Sequence, residues 1–163
     1  MERYLICSDI HGRDDLLRAV IKKESSIKAI FIAGDLELDT YEVNDIIASN
    51  SPSTDVFMVS GNCDSYSGSA SLLPGKLTTE FKGRKIFMTH GHRYRNADKV
   101  TMSYAAMEEG CDIVIYGHTH IAEDLSLYGI RFINPGALKN GSYAIMSITD
   151  EENILIKQKD LMR

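Results

Sequence analysis

The chain has 163 residues, 44% hydrophobic and 25% charged, with a formal charge of −5. That size and composition describe one domain, residues 1–163, with a full core, and exclude a disordered chain. An acidic balance without a long basic run argues against membrane partners and against nucleic acid as an extended partner, since both need clustered Lys and Arg. A small anionic substrate stays open, because a local metal charge can outweigh the global sign.

The opening MERYLICSD has only a four-residue apolar run before the carboxylate of Asp9. This is far short of a signal-peptide core or a membrane span, so a cytoplasmic protein is expected. The three cysteines have no paired spacing and read as reduced thiols, with Cys7 and Cys111 as buried small hydrophobes.

In chain order, RYLIC (3–7) and KAIFIA (28–33) are short β-rich runs. Between them Leu16, Leu17, Val20 and Ile21 recur at helical spacing after the acidic first turn Asp14, Asp15. A weaker helix, Tyr41 to Ala48 with Val43, Ile46 and Ile47 inward, leads to DVFMV (55–59). A β-α-β-α-β run implies parallel strands. The Ser/Gly-rich stretch 64–76 is the one long loop, either functional or a connector.

LTTEF (77–81) and RKIFMT (84–89), joined by Lys82-Gly83, read as an antiparallel hairpin. Val100, Tyr104 and Met107 mark a helix that stops at Gly110, ahead of the buried strand DIVIY (112–116). DLSLY (124–128) and IRFI (130–133) meet at Gly129, and SYAIMSI (142–148) with NILIKQ (153–158) form a last hairpin. The sum is a mixed α/β domain of about ten strands and three helices, enough for two packed sheets covered by helices.

Five of these runs end in polar clusters: Asp9 and His11; Asp35; Asn62; His90 and His92; His118 and His120. Strand carboxyl ends are where open α/β sheets build their sites. All five histidines of the chain lie in these clusters, four of them as two His-x-His pairs. In an extended segment residues i and i+2 share a side, so Asp9/His11 and His118/His120 can each present two heads to one cavity. Gly34, Gly61, Gly91 and Gly117 sit just before or between these residues and allow tight turns and close approach. Imidazole, carboxylate and amide oxygen suit Mn, Fe, Co, Ni or Zn. Six or seven such heads are too many for one ion with open positions, whereas two ions about 3.5–4 Å apart, bridged by one carboxylate, use them naturally.

These motifs, DIH (9–11), GD (34–35), GNCD (61–64), HGH (90–92) and GHTH (117–120), match in order the signature of calcineurin-like metallophosphoesterases. With the short chain and NPG (134–136), the sequence resembles the small prokaryotic phosphodiesterases of the YfcE type. The resemblance implies a four-layer αββα sandwich, two mixed β-sheets flanked by helices. It implies that Asp9, His11 and His120 hold a first metal, that Asn62, His90 and His118 hold a second, and that Asp35 bridges them. Two divalent ions, manganese first and Ni, Fe, Co or Zn as alternatives, would contribute +4 against −2 from Asp9 and Asp35. The positive centre would bind a small phosphoester, and a bridging hydroxide, formed from water whose pKa can fall to about 7, would attack in line.

The departure from the pattern is Cys63, which occupies the place where many relatives keep a histidine after the ligand Asn. A neutral thiol, ordinarily near pKa ~8.5, is a poor general acid. Asn62 and His92 are therefore the candidate catalytic residues, His92 for substrate contact or proton donation, against the plainer reading of His92 as a solvent-facing neighbour. Glu37, Asp39 and Asp64 are either acceptors that orient histidines or turn residues. Arg93 and Arg95 are either phosphate contacts or surface charge, and NPG a structural turn near the site. The rival functions are a phosphomonoesterase of the same superfamily, a catalytically weak binding scaffold of the retromer-subunit kind, and a thiol enzyme. A homodimer or homotetramer is left open.

Overall fold

The structure, a computed structural model, describes residues 1–66 and 68–163. Its elements in chain order are β1 (Glu2–Cys7), α1 (Asp14–Lys23), β2 (Ile27–Ile32), α2 (Thr40–Asn50), β3 (Asp55–Met58), β4 (Lys76–Phe81), β5 (Arg84–Thr89), α3 (Lys99–Glu108), β6 (Ile113–Ile115), β7 (Glu123–Leu127), β8 (Ile130–Asn134), β9 (Ser142–Ile148) and β10 (Ile154–Asp160). One sheet has the order β10-β9-β1-β2-β3 and the other β4-β5-β6-β8-β7. In the first, β1, β2 and β3 are parallel, as two helical crossovers require, and β9 runs antiparallel to β1 with Leu5 opposite Ile145. In the second, β5, β6 and β8 are parallel, and the hairpin partners β4 and β7 form antiparallel edges.

Side-chain alternation along the strands builds the layers. Leu5, Cys7, Ile30 and Ile32 face α1 and α2, where Leu16, Leu17, Val20, Ile21, Val43, Ile46 and Ile47 cover them. Tyr4, Ile6, Ala29 and Phe31 point the other way, into Ile86, Met88, Ile113, Ile115 and Ile133 of the second sheet. The far side of that sheet, through Phe87, Val114 and Phe132, packs on Met102 and Ala106 of α3. The fold is thus helix, sheet, sheet, helix, each buried Leu, Ile, Phe or Met contributing on the order of 1.5–3 kcal/mol.

Helix α3 forms where its spacing predicts, but Val100, Tyr104 and Met107, which mark it, are 43%, 65% and 48% exposed, while Met102, Ser103 and Ala106 are buried. The stretch 64–76 is not one open loop. 3-10 turns run over Asn62–Tyr66 and Gly68–Leu72. The second is tied to α2: Ser69 Oγ accepts from the Thr40 amide at 2.8 Å and donates to Asp39 Oδ1 at 3.1 Å. Cys7 and Cys111 are buried as expected. No helix among the described residues is long and apolar enough to cross a membrane.

Candidate metal centre

The polar clusters meet beyond the ends of β1, β2, β5 and β6, and the backbone there is not extended. Asp9, His11, Asp35, Glu37, His118 and His120 have φ of 54°, 48°, 55°, 49°, 70° and 62°. The expected i, i+2 pairing is therefore made by left-handed residues in turns after the strands, which corrects the extended-segment argument. The first two turns run side by side: Asp9 donates its amide to Gly34 O at 3.0 Å, His11 to Asp35 O at 3.0 Å and Gly12 to Leu36 O at 2.9 Å. Each left-handed non-glycine residue carries a cost of roughly 1–2 kcal/mol, and such strain is characteristic of sites whose surroundings hold it in place.

Asp9 is fully buried, with Oδ2 accepting from Ser8 Oγ at 2.9 Å and from the His118 amide at 3.2 Å. Its Oδ1 faces three ring nitrogens: His120 Nε2 at 3.2 Å, His11 Nε2 at 3.6 Å and His90 Nε2 at 3.8 Å. Asp35 receives the Cys63 amide on Oδ1 at 2.8 Å, while Oδ2 lies 3.1 Å from His90 Nε2 and 3.7 Å from His11 Nε2. Asp9 Oδ1, His11 Nε2 and His90 Nε2 are buried without a hydrogen-bond partner. Burying such atoms unpartnered costs free energy that native proteins rarely leave uncompensated.

The opposite side of each ring is fixed. His11 Nδ1 donates to Glu37 Oε1 at 2.5 Å and His90 Nδ1 to the Ala33 carbonyl at 2.7 Å, so both keep an Nε2 lone pair turned inward. Burial raises the Asp35 carboxyl, but His90, the Cys63 amide and His11 override it and bring it to about 2. Burial likewise opposes protonation of His90, and Asp35 and Asp9 outweigh it, leaving its pKa raised. The lone pair that attracts that proton is the one a cation would take.

Two sets of donor atoms lie within 4.8 Å of one another around Asp9: Asp9, His11 and His120, and Asp9, Asp35 and His90. A third set joins His11 and Asp35 to Cys63. The His118 ring lies 5.2 Å from that of His90 and 6.3 Å from that of His92. Asn62 is exposed at the rim, its amide donating to Cys63 Sγ at 3.5 Å. His92 sits 5.5 Å from the His90 ring with Nδ1 buried and unpartnered; burial first, then His90 and Arg93, lowers its pKa. The Cys63 thiol is pushed up to about 11, by burial and by Asp35, and stays neutral.

The neighbouring acids divide by role. Glu37 orients His11, whereas Asp64 holds backbone, accepting the amides of Glu37 at 2.9 Å and Gly61 at 2.8 Å. Arg93 and Arg95 are both exposed at the surface beside the site. The NPG turn does more than end β8: Asn134 donates to Gly117 O at 3.1 Å and Thr119 Oγ1 at 3.0 Å, clamping the His118–His120 turn. That role has no local signal in the sequence. The glycines fit so closely that a Cβ on Gly61 would sit 2.2 Å from Asp35 Oδ1, and one on Gly117 2.0 Å from Ser8 Oγ.

This donor set, carboxylate and imidazole with inward lone pairs, fits a divalent transition ion. Residues 3–151 match the calcineurin-like phosphoesterase superfamily domain. The probable metallophosphoesterase YsnB of Bacillus subtilis (strain 168) is 31% identical over 156 residues, which is 90% of this chain and 85% of that protein. Two solved structures share the fold at lower identity. A novel archaeal phosphodiesterase aligns with a TM-score of 0.74 at 20% identity, over 96% of this chain and 99% of that one. Wild-type Vps29 from Entamoeba histolytica, complexed with zinc, aligns at 0.70 and 21% identity, over 97% and 98%. With a motif set that converges on one buried centre and a domain match over nearly its whole length, the chain belongs to the calcineurin-like phosphoesterase superfamily.

Proposed function

We propose that the protein is a dinuclear-metal-dependent phosphodiesterase acting on small substrates. The observation that carries this reading is the convergence of Asp9 Oδ1, His11 Nε2 and His90 Nε2, buried and unpartnered, on the Asp35 carboxylate. Asp9, His11 and His120 would hold one cation, Asn62, His90 and His118 the other, with Asp35 between them. Divalent ions there, Mn²⁺ first and Ni²⁺, Fe²⁺, Co²⁺ or Zn²⁺ as alternatives, supply positive charge for the phosphoryl oxygens and lower the pKa of water toward 7.

The chain's own residues shape the rest of the reaction. His92, neutral near pH 7 because its pKa is lowered, contacts the substrate through a ring hydrogen bond instead of acting as a strong acid. Cys63, a protonated thiol, supplies neither nucleophile nor acid, which counts against a thiol enzyme and favours esters with good leaving groups. The likeness to the archaeal phosphodiesterase of the same fold favours diesters over monoesters. The likeness to Vps29 keeps the scaffold alternative in play, but an assembled donor set favours turnover.

A chromogenic phosphodiester assayed with Mn²⁺, beside a monoester and cyclic nucleotides, tests the reading. Turnover of the diester should exceed that of the monoester and vanish on chelation. Full-rate turnover by chelated, metal-free protein would overturn it.

A further inference from the structure

His118 differs from His11 and His90 in the nitrogen that is engaged. In those two rings Nδ1 is the donor. In His118 it is Nε2 that lies 3.3 Å from Asn96 Oδ1. An amide oxygen only accepts, so Nε2 carries the proton and Nδ1 keeps the lone pair.

Asn96 is delivered by an unusual backbone. Arg95, Asn96 and Ala97 are three successive non-glycine residues in the left-handed region, with φ of 49°, 56° and 62°. The turn is held by amides of Tyr94 and Ala97 donating to Gly91 O, at 3.1 and 2.9 Å, and by Asp98 donating to Tyr94 O at 2.9 Å. Ala97 is buried against Gly91, which anchors the turn on the strand end that carries His90 and His92. Of the three, Asn is the type that tolerates this conformation, and its side chain is the one aimed at the centre.

We propose that Asn96 is a positioning residue: it holds the His118 ring with Nδ1 as the lone-pair nitrogen, so that His118 and His120 present opposite ring nitrogens to two neighbouring cations. His120 turns Nε2 toward Asp9, and the ring of His118, two residues earlier, lies 5.2 Å from that of His90. A hydrogen bond of this kind orients the ring and raises the basicity of the free nitrogen. The inference rests on the reading of His118 as a ligand.

The test separates the two claims. Asn96→Gly keeps a residue at ease with positive φ and removes the acceptor, whereas Asn96→Asp keeps an acceptor in the same place. In ¹⁵N spectra of metal-free protein, roughly two units above the ordinary imidazole pKa, His118 should be in the Nε2–H form. Asn96→Gly should move it to the averaged shifts of a free imidazole, and Asn96→Asp should restore it. Calorimetric titration with Mn²⁺ should then show one of two binding steps weakened about ten- to hundredfold by Asn96→Gly, the other unchanged, and recovery in Asn96→Asp. Identical His118 spectra in wild type and Asn96→Gly, or equal loss in both binding steps, would overturn the proposal. A wild-type protein with the expected spectrum and no second binding step would instead sink the two-metal reading.

Discussion

Two clusters of buried carboxylate sit in this fold, and they are built in opposite ways. Glu24, just past α1, accepts from the Tyr143 hydroxyl at 2.7 Å and from Lys159 on one oxygen and from Arg3 at 2.9 Å on the other. Burial alone would raise its pKa, but Lys159, Tyr143 and Arg3 bring it to about 2. Around Asp9 and Asp35 the carboxylates are as deeply buried, yet Asp9 Oδ1 and two inward ring nitrogens have no partner. A buried acid whose oxygens all receive donors from the chain holds the fold together; one that turns an oxygen toward the inward lone pairs of imidazoles fits a cation.

That contrast breaks most visibly at Asp35. Asp35→Asn should lower Mn²⁺-dependent turnover of a diester by at least about a thousandfold. The melting temperature of the metal-free protein, measured where the histidines are neutral, should not fall, because one of two adjacent negative charges is gone. A variant that melts several degrees lower and keeps its activity would place the Asp35 cluster in the same class as Glu24. Next in size is Gly117→Ala, whose Cβ would meet Ser8 Oγ at 2.0 Å and Asp9 Oδ2 at 2.8 Å. Overpacking of this kind should cost about 1–3 kcal/mol in denaturant melts. It should also cost on the order of a hundredfold in turnover, since Asp9 must shift. Unchanged activity would mean that the close approach at Gly117 is incidental.

The fold was readable from local pattern because its strands are short β-rich runs closed by turn residues, and its hairpins close at Lys82-Gly83 and Gly129. The candidate site is legible in the sequence because all five histidines follow such runs within four residues. Pattern could not give geometry at longer range. Helix α3 has apolar residues on both faces, so spacing marks a helix without saying that the small Ser103 and Ala106 side goes against Phe87, Val114 and Phe132. The left-handed turns at Asp9, His11, His118 and His120 leave no compositional trace, since none is glycine. The Glu24 cluster joins residues 3, 24, 143 and 159 across three strands and a helix end, with no shared motif to announce it. Asn134 is legible only as part of a turn near the site; its bonds to Gly117 and Thr119, like the contact of Asn96 with His118, join segments that only the fold brings near.

The Glu24 side of the comparison predicts a stability effect without a catalytic one. The folded carboxyl titrates at about 2, below its ordinary value of 4.5, so its contribution is fully present above pH 4.5 and is lost as pH falls toward 2. A shift of that size is worth up to about 3 kcal/mol, and the partial exposure of Arg3 and Lys159 reduces it to about 2 kcal/mol. Glu24→Gln should therefore lose about 2 kcal/mol at neutral pH in urea unfolding. Its stability should be flatter than wild type between pH 4.5 and 2, with kcat on the diester unchanged. Equal stability at neutral pH would show that the donors around Glu24 do not offset its burial.

The smallest expected effect is at Cys63, where the chain places a thiol in the middle of the site. What Cys63 contributes to the centre is its backbone amide, 2.8 Å from Asp35 Oδ1, and that bond survives truncation of the side chain. With the thiol pushed up to about 11, almost no thiolate is present at neutral pH to be missed. Cys63→Ala should therefore change turnover by less than about threefold, while Asn62→Ala, which removes an amide oxygen from the rim, should cost at least about tenfold. The two substitutions sit at adjacent positions, and each leaves the same methyl group behind. An inactive Cys63→Ala enzyme that is also indifferent to chelation would transfer the chemistry from the buried carboxylates to the thiol, and with it the distinction between the two clusters would lose its functional meaning.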